Sequence, residues 1–435
     1  MKAQAPGGGK NVFANRNFLL VFLGALVSEL GALLYNFAVS FYILQISGNS
    51  AFLQGLYLAL CGAAVLVFTP VGGVLGDRFS KVKIMYVCDF VKGGAILLAT
   101  ALMLLFREPR AHLVILFAHG ILSNVVSGIF NPASGAMLPH IVEEEQLQQA
   151  NSYMTAKGAV ENIFGVVLAG VLYAALPISA LFFLVGGCFL LSGVSELFIR
   201  CPFTPSPDRL TLRLAARDMG DGLRYLRARK GILALIGAAL FTNFFLTPIA
   251  SNYIPYFVRT DLATAPSYLL DRLLTPELWS SAISFAIGLG TLLGAAVLSA
   301  RKPPEKSGHT IAVRLAYTAG VMVILALGYW GLVERSDSLN VFLPLLCLCC
   351  FAAGVLLSCV NIPINTAFMR IVDKDKLSKV TSIVSIGSHG MIPIASLLAG
   401  AVLQAFGSSA LLFACSLGFT LTAVWLLLNK PVREL

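Results

Sequence analysis

Residues 30–76 read LGALLYNFAVSFYILQISGNSAFLQGLYLALCGAAVLVFTPVGGVLG, and they contain no Asp, Glu, Lys or Arg. Apolar stretches of about 18 or more residues predict membrane-spanning helices, and the turn-forming residues 47–50 divide this run into two. A second uncharged run covers residues 380–429. Of the 435 residues, 57% are hydrophobic and 12% are charged, and the mean hydropathy is +0.84. A soluble domain carries about 25% charged residues. The composition therefore predicts an all-α polytopic membrane protein and excludes secreted, fibrous and disordered classes.

The apolar runs divide into predicted spans where Gly, Pro, Asn and Ser cluster or where charged residues return. Each span needs about 20 residues to cross the hydrocarbon core. The nine cysteines lie mostly inside these runs and show no paired disulfide framework. The twelve predicted spans are residues 17–45, 52–76, 83–106, 112–138, 150–174, 178–199, 231–258, 278–300, 310–333, 340–368, 379–404 and 408–429.

The basic residues are distributed unevenly between the two sides of these spans. With the N-terminus inside, 23 of the 31 Lys and Arg residues fall in inside-facing segments, five in outside-facing loops and three within spans. Because Lys and Arg concentrate in cytoplasmic loops, this asymmetry predicts cytoplasmic N- and C-termini and an even number of helices. It also explains the net charge of +10, so we expect no nucleic-acid partner.

The chain repeats itself at an offset of about 230 residues. Residues 141–147 read IVEEEQL and residues 371–377 read IVDKDKL, while LAG recurs at 168–170 and 398–400. Several transporter folds place a substrate site between parallel repeats of this kind. The repeat predicts two similar six-helix halves.

The predicted domains are an N-terminal bundle of residues 1–200, a cytoplasmic linker of residues 201–230 and a C-terminal bundle of residues 231–435. Apolar linker residues recur at helical spacing with arginines beside them, which predicts an amphipathic helix on the membrane surface. A plain linker on anionic headgroups and a partner-binding or lipid-sensing element are both compatible with this pattern. The apolar positions are Leu212, Ala216, Met219, Leu223 and Leu226.

The loop between the second and third spans, residues 73–83, reads GVLGDRFSKVK. It resembles the signature loop of the major facilitator superfamily, Gly-x-x-x-Asp-Arg-x-Gly-x-Arg/Lys-Arg/Lys, and stands where that family places it. Ser80 replaces the usual Gly, and the spacing of the basic pair is shifted. The resemblance implies twelve helices in two pseudo-symmetric six-helix bundles, with a cytoplasmic gate at this loop; the alternative is that these charges only set the topology. The gate residues that it implies are Gly73, Asp77, Arg78, Lys81 and Lys83.

Two further segments resemble the macrolide-efflux branch of the drug:proton antiporters. They are residues 130–152, with FNPA, LP and ANS, and residues 379–400, with KVTS, IP and LLAG. The resemblance covers essentially the whole chain and implies multidrug-type efflux by antiport, although the same branch also resembles exporters of siderophores and lysolipids. Residues 165–170, GVVLAG, lack the Pro of the Gly-Pro-x-x-Gly-Gly motif that drug antiporters often carry. Export is therefore implied more strongly than antiport.

Glu29 is the clearest ionisable residue within a predicted span. It lies about 18 Å from the cytoplasmic end of span one, close to mid-membrane, and Asn36 lies on nearly the same face. Since the ionised form of a carboxyl is disfavoured there, Glu29 is a candidate to carry a proton or to bind a cationic substrate group. The alternative is a structural Glu that stays protonated or paired.

Four more charged residues form two predicted pairs in the cytoplasmic half of the membrane. Lys157 and Glu161 are spaced i, i+4, and Asp89 and Lys92 are spaced i, i+3, so each pair can form within one helix. Neutralised pairs that support the gate fit both spacings, and Glu161 is also a second proton-site candidate. His389 is titratable and deep in span eleven, with a satisfied packing residue as the alternative.

These observations favour a secondary active transporter that exports an amphipathic small molecule by proton exchange through alternating access. Uptake or flipping of a lipid-like or other organic solute is the alternative within transport. A membrane-embedded enzyme is the rival class, but the sequence contains no HExxH, GxSxG or GxxxxGK[S/T] motif. We expect no enzymatic activity, cofactor or bound metal. The expected partners are a small-molecule substrate, protons and the lipid bilayer, around a monomer in the bacterial plasma membrane.

Overall fold

The computed structural model describes residues 11–201, 220, 223–227, 229–299, 307–372 and 374–433. Within these ranges the chain forms helices and no β-strand. Among these described residues, eleven helical stretches are long and apolar enough to cross a membrane. The last of them, Gly390–Leu428, breaks at Gly407, where φ is 80° and ψ is −177°. Only glycine adopts this conformation readily, so the stretch comprises two helices. The predicted all-α fold with twelve membrane helices is confirmed.

The first six membrane helices are separated by short connections. The fifth contains a π-helical turn, in which one extra residue is accommodated in the helix. Short helices of three or four residues precede the first membrane helix and connect the fourth to the fifth; they are Val12–Ala14, Leu138–Ile141 and Glu144–Gln146. In chain order the membrane helices are α1 (Arg16–Ile46), α2 (Ala51–Arg78), α3 (Lys81–Leu105), α4 (Pro109–Gly135), α5 (Leu147–Val160, the π turn Glu161–Gly165 and Val166–Ala175) and α6 (Ile178–Leu197).

The last six membrane helices include three further π turns. Their bounds are α7 (Lys230–Pro248, the π turn Ile249–Tyr253, Ile254–Phe257 and the π turn Val258–Leu262), α8 (Pro276–Ser299), α9 (Ser307–Gly328 and the π turn Tyr329–Glu334) and α10 (Leu339–Ile371). The stretch Lys374–Leu428 provides α11 before Gly407 and α12 after it, and the short helix Lys430–Arg433 follows.

The turn between α1 and α2 lies at the predicted position. Gly48 and Asn49 adopt positive φ values of 67° and 62°, which glycine and asparagine tolerate better than other residues. The Asn49 amide donates to the Leu44 carbonyl at 2.7 Å, and the Ser50 amide donates to the Ser47 hydroxyl at 3.1 Å. The local turn chemistry therefore ends α1 and starts α2 within a few residues.

The chain divides into two compact units. Unit 1 comprises Met1–Val39 and Ala64–Thr211, and unit 2 comprises Ser40–Ala63 and Leu212–Leu435. The end of α1 and the first half of α2 thus belong to the same unit as the helices of the second half of the sequence. One reason is close packing of α2 on α11, because a Cβ on Gly55 would lie 2.5 Å from the Ser396 carbonyl oxygen.

The domain boundaries predicted from the repeat stay a prediction, and most of the predicted linker, residues 201–230, lies outside the described residues. Its described part includes a helical segment at residues 223–227. Leu226, which the pattern places on the apolar face, is buried in a cluster with Ile232, Val372 and Val380.

Unit 1 is held together by close contacts at small residues, as is usual between helices in a membrane. A Cβ on Gly72 of α2 would lie 2.5 Å from the Gly128 carbonyl oxygen of α4, and a Cβ on Gly31 of α1 would lie 2.9 Å from the Cys188 Cβ of α6. These positions allow backbones to approach closely. They bring α1, which carries Glu29, against its neighbours in the unit.

Unit 2 has a corresponding small-residue contact between α8 and α10. A Cβ on Gly354 would collide with the Ile287 carbonyl oxygen, and a Cβ on Gly294 would lie 2.6 Å from the Val355 carbonyl oxygen. The Ser358 hydroxyl, at 2.8 Å from the Thr291 carbonyl oxygen, donates a hydrogen bond across the same contact. The close approach of α8 and α10 therefore depends on the absence of a side chain at Gly294 and Gly354.

Candidate functional site

Helices α1 and α5 bring three charged side chains together within unit 1. The Lys157 ammonium donates to Glu29 Oε2 at 2.6 Å and to both Glu161 carboxylate oxygens at 3.1 Å. Glu29 comes from the middle of α1, whereas Lys157 and Glu161 lie one turn apart on α5. We call Glu29, Lys157 and Glu161 the α1–α5 triad.

The close approach of α1 to α5 has a local explanation in the sequence. Gly165 ends the π turn that begins at Glu161, and a Cβ at this position would lie 2.8 Å from a Leu33 side-chain carbon of α1. The glycine therefore leaves room for α1 one turn beyond the triad. Single π turns within α-helices are frequent at functional sites.

The triad contains two carboxylates for one ammonium. With all three groups ionised its net charge is −1, and a single bound proton makes it neutral. The side chains of Lys157 and Glu161 are each 3% exposed, whereas that of Glu29 is 55% exposed. An uncompensated charge is costly at such burial, so the arrangement favours a bound proton or a bound cation. The exposed Glu29 carboxyl is the member that either one can reach.

A polar face runs along the first half of α5. Polar side chains on a membrane helix lie against protein or a water-filled cavity rather than lipid. Here they are exposed at helical spacing, so they can contact a solute through neutral hydrogen-bonding groups. The residues that line a cleft of about 560 Å³ on this face are Gln148, Asn151, Ser152, Thr155, Ala156 and Ala159.

The other predicted site residues on α1 and α11 are only partly described. Asn36 is exposed on α1, seven residues beyond Glu29. Glu29 pairs with Lys157, a partner that the sequence pattern does not reveal. The side chain of His389 lies outside the described residues. The role of His389 as a site residue therefore stays a prediction.

The predicted gate loop is mostly helical: Gly73, Asp77 and Arg78 lie at the end of α2, and Lys81 and Lys83 lie at the start of α3. Arg78 and Lys83 are exposed, and Lys81 is half-buried. Gly73 has open space where a side chain would be. The Asp77 side chain lies outside the described residues, so the pairing implied by the signature motif stays a prediction.

The predicted pair of Asp89 and Lys92 stays a prediction. The two groups lie within electrostatic range of each other, but no hydrogen bond joins Lys92 to Asp89 among the described residues. The Lys92 ammonium instead lies 4.8 Å from the centre of the Phe130 ring and 5.5 Å from that of Phe189. Aromatic rings attract cations through their negative faces, which draws the ammonium towards α4 and α6.

One buried carboxylate was missed by the sequence reasoning. Glu196 lies at the end of α6 and is only 1% exposed, and Asp89 and Lys92 lie within electrostatic range of it. Ionisable residues within spans are functional candidates by default, and applying that rule to every predicted span would have found it.

Comparison with known proteins places the chain in a family. The sequence pattern described as Major Facilitator Superfamily matches residues 21–341. The chain belongs to the major facilitator superfamily. It is 23% identical over 375 residues to the uncharacterized MFS-type transporter YkuC of Bacillus subtilis strain 168, covering 85% of this chain and 82% of that protein.

Two further similarities bear on function and fold. Macrolide efflux protein A of Streptococcus pyogenes is 24% identical over 233 residues, which cover 53% of this chain and 56% of that protein. A crystal structure of a bacterial homologue of the iron transporter ferroportin in an inward-facing state superposes with a TM-score of 0.71 at 16% identity. That match covers 97% of this chain and 100% of the other, and at this identity it shows the shared fold alone. This facilitator is therefore a multi-pass membrane protein of a transporter family.

Proposed function

We propose that this facilitator exports an amphipathic, drug-like small molecule in exchange for protons by alternating access. Membership of the superfamily supports transport, and the similarity to a macrolide efflux protein over about half the chain supports efflux. The observation that carries the proton coupling is the α1–α5 triad, in which Glu29 and Glu161 share the ammonium of Lys157.

The triad provides a simple exchange between a proton and a substrate. When Glu29 is protonated, Lys157 balances the charge of Glu161 and the triad is neutral. When Glu29 releases its proton to water, the triad carries one negative charge, which a cationic group of a substrate can neutralise. Because 55% of the Glu29 side chain is exposed, proton and substrate compete for the same carboxylate. This competition couples the movement of the proton to the movement of the substrate, although the proton and the substrate do not bind each other.

The proposal includes the setting of the transporter. We place it in a bacterial plasma membrane, with both termini in the cytoplasm because basic residues concentrate on that side. It acts as a monomer on a small-molecule substrate that it does not chemically convert, and it uses no cofactor and binds no nucleic acid. Chemical conversion of a transported compound by the detergent-solubilised protein would contradict the assignment to transport.

The decisive experiment measures two activities of Glu29→Gln in proteoliposomes with an internal pH probe and a panel of amphipathic cations and neutral macrolides. Gln retains the shape and hydrogen-bonding capacity of Glu but cannot titrate. We expect the variant to insert normally, to lose transport driven by a pH gradient and to retain substrate-for-substrate exchange. Glu108→Gln is the matched control, because Glu108 precedes α4 without a side-chain capping hydrogen bond and its replacement makes the same chemical change.

The outcomes separate the possible roles of the carboxyl. Intact pH-driven transport in Glu29→Gln would remove Glu29 from coupling, and the same measurement on Glu161→Gln would then test the buried member of the triad. Loss of both activities with normal insertion would assign Glu29 to substrate binding alone. An absence of pH-driven transport in the wild-type protein across the whole panel would contradict proton coupling itself.

A further inference from the structure

A second pair of carboxylates lies in unit 1, away from the α1–α5 triad. Asp89 of α3 and Glu196 of α6 are each 1% exposed, and Ser192, one turn before Glu196, is also 1% exposed. The Ser192 hydroxyl is adjacent to Asp89. We call Asp89 and Glu196 the α3–α6 pair.

The pair has more acceptors than donors. Both Asp89 oxygens, Glu196 Oε2 and the Ser192 hydroxyl are buried, and none has a hydrogen-bond partner among the described residues. Buried polar atoms are normally satisfied, because an unsatisfied one costs free energy. Two carboxylates cannot satisfy each other, since both are acceptors only when ionised. The adjacent Ser192 hydroxyl can donate to only one of these oxygens, so a proton on one carboxyl supplies a further donor.

The contact between α3 and α6 is closely packed on both sides of the pair. A Cβ on Gly93 would lie 2.9 Å from a Leu190 side-chain carbon, and a Cβ on Gly193 would lie 3.3 Å from the Phe90 ring. Packing of this kind leaves little room for α3 and α6 to move apart. The carboxylates therefore lie inside a rigid helix pair rather than on a cavity wall.

The charges around the pair can be counted from the structure. The titratable groups that act on Asp89 and Glu196 from α3 are Lys92 and Cys88, and α4 contributes the Phe130 ring, which binds the Lys92 ammonium. Within the described part of the chain, no hydrogen bond joins Lys92 to either Asp89 oxygen or to Glu196 Oε2. With both carboxylates ionised, this region would carry an excess negative charge inside the membrane.

We infer that one of the two carboxyls, Asp89 or Glu196, carries a bound proton and that the α3–α6 pair forms an occluded proton site. The bound proton supplies a donor beside the buried acceptors, and together with the Lys92 ammonium it makes the region neutral. The site differs from the α1–α5 triad in access. Its carboxylates are 1% exposed, whereas the side chain of Glu29 is 55% exposed, so the proton of the α3–α6 pair stays bound while that of the triad exchanges.

Infrared difference spectroscopy of the full-length protein tests this inference directly, because a protonated carboxyl has a carbonyl stretching band that a carboxylate lacks. We expect the wild-type spectrum minus the Glu196→Gln spectrum to show a carboxylic-acid band. It should persist from mildly acidic to mildly alkaline pH and shift only slowly in heavy water. The wild-type minus Glu29→Gln spectrum is the internal reference, and any carboxyl signal in it should exchange quickly in heavy water because the Glu29 side chain is 55% exposed.

Two further variants give opposite expected results. Asp89→Asn leaves Glu196 and Lys92 as one negative and one positive charge, so the band is lost. Lys92→Met removes the nearby cation, so the second carboxyl takes up a proton and the band gains intensity. If a variant of one carboxylate does not fold, the variant of the other carries the same test.

Three outcomes would overturn the inference. The first is a wild-type spectrum without a slowly exchanging carboxylic-acid band. The second is a band that survives both Asp89→Asn and Glu196→Gln. The third is heat stabilisation of the wild-type protein by Na⁺ over K⁺ that Asp89→Asn abolishes, which would replace the bound proton with a sodium ion. None of these outcomes depends on transport activity, so the proposed function and this site can fail separately.

Discussion

Replacing Lys157 with Met removes the only described cation of the α1–α5 triad and leaves two carboxylates. Glu161 decides the size of the effect, because its side chain is 3% exposed. Removing one partner of a buried ion pair typically costs about 3–5 kcal/mol. Glu29 adds little, since an exposed ion pair is worth only about 0–1 kcal/mol. We expect Lys157→Met to lose about 3–5 kcal/mol of stability where Glu161 is ionised.

The pH dependence of this loss follows from the charge of Glu161. In Lys157→Met the ionised carboxylate is buried without a partner, so protonation stabilises the folded variant. The loss of stability should therefore be small at acidic pH and should grow as the pH rises. Adding Glu161→Gln to Lys157→Met removes the buried charge and should restore most of the stability at every pH.

Thermal unfolding in detergent, followed by tryptophan fluorescence across a pH series, measures this effect for the wild type, both single variants and the double variant. The cycle isolates the interaction between the two side chains. If Lys157→Met unfolds at the same temperature as the wild type at alkaline pH, the reasoning about the triad fails. It also fails if the double variant is no more stable than Lys157→Met.

Two further predictions concern packing and gating. Gly354→Ala should cost about 1–3 kcal/mol of stability, typical of overpacking, because the new methyl group meets the Ile287 carbonyl oxygen of α8. Gly320→Ala is the matched control in the same unfolding assay, because a Cβ there meets open space. Equal stabilities of the two variants would refute the contact. Asp77→Asn should weaken the cytoplasmic gate by about 1 kcal/mol, which changes the population of the gate-closed state roughly fivefold. Labelling of single cysteines at the cytoplasmic helix ends measures this shift. Unchanged labelling and transport would mean that Asp77 only sets the topology.

The membrane helices could be predicted because the signal is carried by long uninterrupted runs of residues. The turn at Gly48 and Asn49 and the break at Gly407 both lie where turn-forming residues interrupt apolar sequence. In the last case helical structure continues on both sides of the break without an intervening loop. The local sequence therefore marked the boundary even where the helices almost join.

The candidate site could be predicted only as far as spacing along one helix allowed. Lys157 and Glu161 are four residues apart and form the expected pair. The partner Glu29 is 128 residues from Lys157, so only the packing of α1 on α5 reveals the contact. Asp89 and Lys92 show the opposite limit, because their spacing permits a hydrogen-bonded pair but the Lys92 ammonium lies over the Phe130 and Phe189 rings.

The π turns were beyond sequence reasoning for a physical reason. A π turn changes which backbone groups bond to each other but leaves the hydrophobicity of the segment unchanged. The four described turns, in α5, α7 and α9, therefore lie inside runs that look like ordinary helices. Hydropathy patterns locate such a helix but do not show how its faces are aligned.

The π turn at Glu161–Gly165 can be regarded as an insertion of one residue into α5. An ordinary α-helix turns by about 100° per residue. A deletion of one residue here would restore regular helical bonding, and it would rotate the segment Leu147–Val160 by about that angle relative to Val166–Ala175. Lys157 would then point away from α1 although every charged residue of the triad remained. The number of residues in α5, and not only their identity, determines which helix the ammonium faces.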